Sequence, residues 1–350
     1  MRLRGVIFAL AAALLSVSCL CSKNPVAPDG ANLLELETVW QYLKTYCIWQ
    51  DSIPLAPDPF VFDSAEQLLA SVNDTFHGYN YTRYKDDTTA LPKAALGKIA
   101  AGAPARDTTV SILPLTDSTV YLRIWPEFED STYSGFVSMV PVLARYPKII
   151  VDLRNNGGGL IDAVDSIIEY FLPSGTPYIS AKYRKYDASS RTAQTIGWEQ
   201  WTTVHDRTPT LAGSQVAVLT NGLTASASEI LVAGLKDGRA LAGRDTVALV
   251  GGTTFGKGIG QIVISRTYLG KRDLKITFLR LDGLSARTRN YHRHGIAPDI
   301  RVADALAENT ALLLLEPSAK PLAKSLVAAA PQPTRAGAYV VVPADPAIEK

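Results

Sequence analysis

The sequence predicts an α/β fold with crossover connections, on three observations. Short apolar, β-branched stretches such as "KIIVDLR" and "SQVAVLT" read as buried strands. Stretches of helical periodicity, such as "GGGLIDAVDSIIEYFL", lie between them. From about residue 107 onward, strands and helices alternate, which argues for an α/β core with crossover connections; the later "LVGGTTFGKGIGQIVIS" and "LKITFLRLDG" add strands with few helices between them.

Taken in order, "MRLRGVIFALAAALLSVSCLC" sets Arg2 and Arg4 before an apolar run from Gly5 to Leu15 and then small residues, the pattern of a secretory signal over 1–18. The run is shorter than the roughly 20 residues that cross a bilayer core, and no other stretch approaches that length, so the mature protein is expected to lack a transmembrane segment. "LLSVSC" resembles a bacterial lipoprotein processing site, with Cys19 as the lipidated new N-terminus and Ser16 where such sites usually carry Leu. Cleavage by an ordinary signal peptidase is the other reading. The polar, Pro/Gly-rich stretch that follows, to residue 32, reads as a tether. An exported envelope protein, anchored to the membrane by lipid if Cys19 is processed, is the expectation.

A helical N-terminal region follows over 33–100. "NLLELETVWQYLKTYCIW" carries Leu33, Leu36, Val39, Trp40, Leu43 and Tyr46 as a stripe, and "DSAEQLLASVNDTF" opens on Asp63 or Ser64 as a cap, with Leu68, Leu69 and Val72 on one side. The α/β core is expected over 105–310. It begins with "TTVSILPL" and "STVYLRIW" around a turn at Asp117-Ser118 and continues with a helix near 133–145. The polar "SSRTAQTIGWEQWTTVHDR", with Trp198 and Trp201, reads as a surface loop or a flap beside a cleft, and "PSAKPLAKSLVAAAPQPTRAG" opens an Ala/Pro-rich tail over 317–350.

Composition excludes some functions. Of the 350 residues, 47% are apolar and 19% charged, and 35 Lys+Arg against 33 Asp+Glu leave a net charge of +2, so nothing points to nucleic acid. Cys19 and Cys21 lie at the signal boundary and Cys47 stands alone, which gives neither a disulfide framework nor a zinc spacing. Cys47 reads as a small buried hydrophobe.

Three stretches carry chemistry. In "TNGLTASASEILVAGLKDG", Ser226 and Glu229 spell S-x-x-E before an apolar run, a complete capping box; a serine at a helix start is also where a nucleophile would find free N–H groups. "VDLRNNGGG" ends a buried strand in Gly157, Gly158 and Gly159, either a tight turn or a set of backbone donors for an anion or oxyanion. No GK[ST] follows, so it is not a Walker loop. In "TTFGKGIGQ", Lys257 is either a surface lysine on a glycine turn or a buried amine whose lowered pKa suits a general base. On a strand, Gln261 would share its face and could orient the amine.

The order "DLRNNGGG", "TASASEI", "TTFGKGIGQ", "HGIAPDI" resembles the C-terminal-processing (tail-specific) serine peptidases, relatives of the tricorn-core proteases, over roughly 105–305. The resemblance implies a Clp-protease/crotonase-like α/β core behind a small helical domain, and a serine endopeptidase that needs no metal or cofactor and takes a polypeptide substrate. It makes Ser226 the nucleophile, Lys257 the general base and Gln261 the residue that positions the lysine. Gly157, Gly158 and the N–H of Ala227 become the oxyanion hole, and "HGIAPDI" is scaffold. The tricorn-like branch offers His77, in "NDTFHGY", as an alternative base, whereas His205, His292 and His294 fall in polar loop surroundings. Two departures stand out. Extra residues around Arg244-Asp245 read as a hairpin turn, and the interval between "YTRY" and "STVYLRI" is too short for the PDZ domain that many relatives carry. A non-proteolytic binding protein on the same fold is the rival reading; the presence of Ser226, Lys257 and Gln261 together argues against it.

Overall fold

The computed structural model describes residues 30–51, 59, 62, 64–72, 83–86, 109–187, 190, 192–244, 247–264, 272–322 and 339–342. The expected signal, Cys19 and His77 lie outside them. In chain order the elements are α1 (Gly30–Tyr46), a 3-10 turn (Ile48–Asp51), α2 (Ala65–Ser71), β1 (Arg83–Asp86), β2 (Val110–Pro114), β3 (Thr119–Ile124), α3 (Asp130–Leu143), β4 (Lys148–Asp152), α4 (Ile161–Phe171), β5 (Pro177–Asp187), β6 (Thr192–Thr202), β7 (Gln215–Thr220), α5 (Ala227–Leu241), β8 (Ala248–Gly251), β9 (Ile259–Ile264), β10 (Arg272–Asp282), β11 (Ile300–Arg301), α6 (Asp304–Leu315) and β12 (Tyr339–Val342).

The alternating segments form the expected α/β core. One sheet runs β11-β8-β7-β4-β3-β2, with every neighbouring pair parallel except β2–β3. Its inner strands β3, β4, β7 and β8 are buried on both faces, so they read as continuous apolar runs, whereas the edge strands β2 and β11 are partly exposed. On β4 the alternation is plain: Ile149 and Val151 join the core shared with α3, α4 and α5, and Ile150 joins Tyr121, Ala217, Leu219 and Val250 against Ala307, Ala311 and Leu312 of α6.

The second sheet runs β12-β9-β10-β5-β6, with β1 also on β10; its pairs are antiparallel except β12–β9. Helix α5 packs against both α4 and β5 and is buried along nearly its whole length, its polar Ser228, Glu229, Asp237 and Arg239 included. Close approach is possible because Gly234 lacks a side chain, since a Cβ there would sit 2.2 Å from Ile168 Cδ1 and 3.4 Å from Tyr178 Cβ. Helix α1 lies on β5, β6 and β10, and Leu36, Val39, Leu43 and Tyr46 enter the main apolar cluster. Ser64 caps α2 by accepting from the Gln67 N–H at 3.3 Å, and Cys47 is buried with its thiol pushed up to about 11 by desolvation.

Several local expectations are corrected. The stretch read as a surface loop or flap contains β6, an 11-residue strand in a long hairpin with β5. Its polar composition hid a Thr- and aromatic-rich strand that turns Trp201 inward. Among the described residues no pair of antiparallel strands flanks Arg244: α5 runs to Leu241 and the next strand, β8, pairs in parallel with β7, while Asp245 lies outside the described residues. Helix α1 begins at Gly30, within the stretch read as tether. In the stretch read as a tail, Leu322 exchanges hydrogen bonds with the Asn309 side chain and Tyr339–Val342 forms β12, because its Val-rich run suits a strand.

A buried ion network ties the end of β4 to α6. Arg154, 2% exposed, donates to Asp152 at 2.5 Å and to Glu308 at 2.8 Å, and Asp152 also accepts from the Tyr121 hydroxyl at 2.5 Å. Removing the cation leaves two carboxylates buried without it, a cost of about 3–5 kcal/mol. Arg154→Met is expected to lower unfolding stability by that amount in urea titration, and a change below about 1 kcal/mol would contradict the account.

Candidate active site

Three loops meet at the C-terminal ends of β4, β7 and β8, where open parallel sheets place their ligands. The first is the glycine loop. Beyond β4, Asn155 takes a φ of 60°, and the buried Asn156 side chain then organises its surroundings. Its Nδ2 donates to the Ile124 carbonyl at 3.0 Å, and its Oδ1 accepts from the Gly158 N–H at 3.0 Å and the Ser228 hydroxyl at 2.7 Å. Gly158 has a φ of 108°, and a Cβ there would lie 2.8 Å from Ser226 Cβ and 2.9 Å from the Ala225 carbonyl. Glycine is required on both counts, and the loop therefore touches the serine. The Gly157 N–H donates to the Pro126 carbonyl at 3.1 Å, so both glycine donors expected for an oxyanion hole carry internal bonds in this state.

The second loop leads from β7 into α5. Ser226 occupies a φ of 61° and ψ of −115°, an unfavourable region for a side-chain-bearing residue that costs on the order of 1–3 kcal/mol. The turn is pinned on both sides. The Ala225 N–H donates to the Asn156 carbonyl at 3.0 Å, and the Ser226 N–H donates to Glu229 Oε2 at 2.8 Å. Ala227 starts the helix, so its N–H has no acceptor within it. Ser226 itself is fully buried. Ser228 is a packing hydroxyl spent on Asn156.

The third loop, 252–258, connects β8 to β9. Lys257 lies before the strand, not on it, so the shared-face argument does not apply; Gly256, with a φ of 92°, turns the chain to bring the amine toward Gln261. Lys257 Nζ reaches Gln261 Oε1 at 3.4 Å, with Lys257 7% exposed and Gln261 fully buried. Desolvation lowers the amine to about 8, helped by the charge of Lys275 and opposed by Glu229. The neighbouring Gly258 N–H donates to His292 Nδ1 at 3.2 Å, which brings His292, in the turn region after β10, against this loop.

Glu229, Thr254, Asn156 and His292 are the residues that sequence reasoning missed or undervalued. Glu229 was legible as half of a capping box, but its carboxylate does more. Oε1 accepts from the Thr254 hydroxyl at 2.5 Å and the Gly256 N–H at 2.7 Å; Oε2 accepts from the Lys257 N–H at 2.7 Å and the Ser226 N–H at 2.8 Å. One fully buried carboxylate thus fixes the backbones of Ser226 and Lys257 together, although burial pushes its pKa up. The described residues hold no group of three or more His, Cys, Asp or Glu that could bind a metal. Nor do they include a helix long and apolar enough to cross a membrane.

Residues 118–302 match the model of peptidase family S41. Curated relatives include a probable CtpA-like serine protease of Staphylococcus saprophyticus, 27% identical over 181 residues, covering 51% of this chain and 32% of that protein. One of Staphylococcus aureus is 28% identical over 155 residues, covering 44% and 27%. The chain thus spans about a third of the length of the curated relatives it matches. Among solved structures, a lipoprotein from Streptococcus agalactiae shares the fold, with a TM-score of 0.52 at 15% identity over 85% of this chain and 99% of that one. The photosystem II D1 C-terminal processing protease aligns with a TM-score of 0.42 at 22% identity, over 61% and 52%.

Two outcomes follow from the geometry. Glu229→Gln replaces one acceptor oxygen by an NH2 that must face two donors, so stability is expected to fall by about 2–4 kcal/mol. Unchanged thermal unfolding would contradict the clamp. For Lys257 the folded chain releases the proton near 8 and the unfolded chain near the ordinary 10.5. Between those values the unfolded chain binds more protons and stability rises with pH; below 8 the full cost of the buried charge is present. Lys257→Met is therefore expected to gain on the order of 2–3 kcal/mol at pH 7, a gain that shrinks as pH climbs past 8; a pH-independent difference in denaturant titrations would contradict it.

Proposed function

Because the chain belongs to peptidase family S41, we propose that it is a serine endopeptidase in which Ser226 attacks a peptide carbonyl while Lys257 takes the hydroxyl proton. The observation that carries this reading is the Glu229 carboxylate, which binds the backbone N–H groups of both Ser226 and Lys257. A carboxylate spent in this way is a large investment for a mere helix cap, and it fits a need to hold nucleophile and base in register.

The reaction balances within these residues. The Ser226 Oγ–carbon bond forms as its proton moves to Lys257 Nζ, and the carbonyl becomes an oxyanion. The Ala227 N–H, at the positive end of α5, is the first donor to it. Gly158 can join only by exchanging its bond to Asn156 for one to the oxyanion, and Gly157 only by releasing the Pro126 carbonyl. The C–N bond then breaks as the lysine returns the proton to the leaving amine, and water activated by Lys257 frees the acyl group from Ser226. Lys257 can act as the base because burial brings it to about 8, and Gln261 orients it. Thr254 and Glu229 are positioning residues. His77 is the alternative base.

The substrate is a polypeptide of the envelope or the exterior, bound extended beside the site by strand addition. The sequence pattern through Cys19 supports a location outside the cytoplasm, with a lipid anchor if Cys19 is processed, and the fold neighbour from Streptococcus agalactiae is a lipoprotein.

Cleavage of unfolded casein by the wild-type chain, with a serine-reactive probe attached at Ser226, tests the assignment. Ser226→Ala is expected to abolish both, Lys257→Ala to reduce cleavage by about 10²–10⁴-fold, and wild-type kcat/KM to rise with pH through an inflection near 8. Retained activity in Lys257→Ala with loss in His77→Ala would move the base to His77. No labelling and no cleavage would favour ligand binding on the same fold.

A further inference from the structure

Strand β9 carries Gln261 and begins two residues after Lys257. One of its edges pairs with β10, and Thr277 lies opposite Gln261 there. The other edge is taken by β12, running parallel, with Tyr339 opposite Gln261, Val340 opposite Ile262, Val341 opposite Val263 and Val342 opposite Ile264. Among the described residues β12 pairs with no other strand and ends the sheet.

We propose that the outer edge of β9 is the docking edge for an extended polypeptide and that the chain's own Tyr339–Val342 occupies it as an intramolecular competitor of substrate. This rests on the peptidase reading and adds to it where the substrate chain lies and what holds the place in its absence. The register is the central argument. The occupant begins alongside the residue that orients Lys257, whereas the opposite edge of the sheet, β6, is separated from Gln261 by β10 and β5. Length is the second. A four-residue strand held at a sheet edge, with one neighbour, is among the most easily opened kinds of element. Its ladder consists of backbone hydrogen bonds, which any extended chain can replace without loss.

Sequence supplies the third argument. Tyr-Val-Val-Val suits an extended strand, and Pro343 directly after it cannot continue the ladder as a donor. The preferred guest on this edge is then an extended segment rich in β-branched and aromatic residues, which resembles the segment that already sits there. A tethered competitor acts at an effective concentration on the order of millimolar, so even weak pairing in trans becomes substantial occupancy in cis.

Three forms of the protein test this: the full chain, the chain ended after Leu322, and the full chain with Val340→Pro and Val341→Pro. Of two consecutive strand residues one presents its N–H to the neighbour, so the double proline breaks the pairing without shortening the chain. Both altered forms are expected to cleave casein with KM lowered roughly two- to tenfold and kcat unchanged. A fluorescein-labelled peptide of residues 337–345 is expected to bind the shortened chain by fluorescence anisotropy, also with Ser226→Ala, and to raise its KM competitively. Equal KM in all three forms, or a peptide that binds the shortened chain no better than the full chain, would overturn the proposal. If no form cleaves casein while the peptide still binds the shortened Ser226→Ala chain more tightly than the full chain, the docking edge stands and the peptidase reading fails.

Discussion

The site depends on one fully buried carboxylate. Glu229 sits in the first turn of α5, where the positive helix end favours it, and its two oxygens collect donors from two separate stretches of chain. Burial alone would drive such a group toward the neutral form, and the direction of its pKa says that the four hydrogen bonds do not fully offset that pressure. The gain is geometric. Ser226 can be kept at a φ that L residues avoid because its N–H is committed to Glu229 and the residue before it is committed to Asn156.

A second constraint follows from the first. The turn at Ser226 can only close if the glycine loop comes within contact distance, and Gly158 permits that by having no side chain. Asn156 then occupies the junction: its carbonyl holds Ala225 and its side chain holds Gly158 and Ser228. The same bonds that assemble the loop consume the donors an oxyanion would want. In this state the site is held together by interactions that catalysis must partly exchange, and the exchange concerns Asn156 Oδ1 and the Pro126 carbonyl.

Much of this was legible in the sequence, and what was not has physical causes. The parallel strands were readable because burial on both faces leaves apolar runs, and α4 and α5 because their apolar residues recur at helical spacing. Ser226, Gly158 and Lys257 stood out because each sits in a short string that bends a local rule. Strand β6 escapes sequence reading because an edge strand can be polar, and Lys257 lies two residues before its strand begins, just past the positive-φ turn at Gly256. The roles of Asn156 and Thr254 were invisible because hydrogen bonds to residues far along the chain leave no local pattern. The meeting of β9 and β12 was invisible for the same reason, since pairing between distant strands is decided by the fold.

Charge closes the account. Lys257 is enclosed, and desolvation together with repulsion from Lys275 outweighs the attraction of Glu229, so the amine is poised where a base is useful. Selective 13Cε labelling of lysine, with Lys257 assigned by its loss in Lys257→Met, reads that poise directly by NMR titration. The account predicts that the Lys257 resonance titrates near pH 8. An inflection at the ordinary lysine value near 10.5 would contradict it.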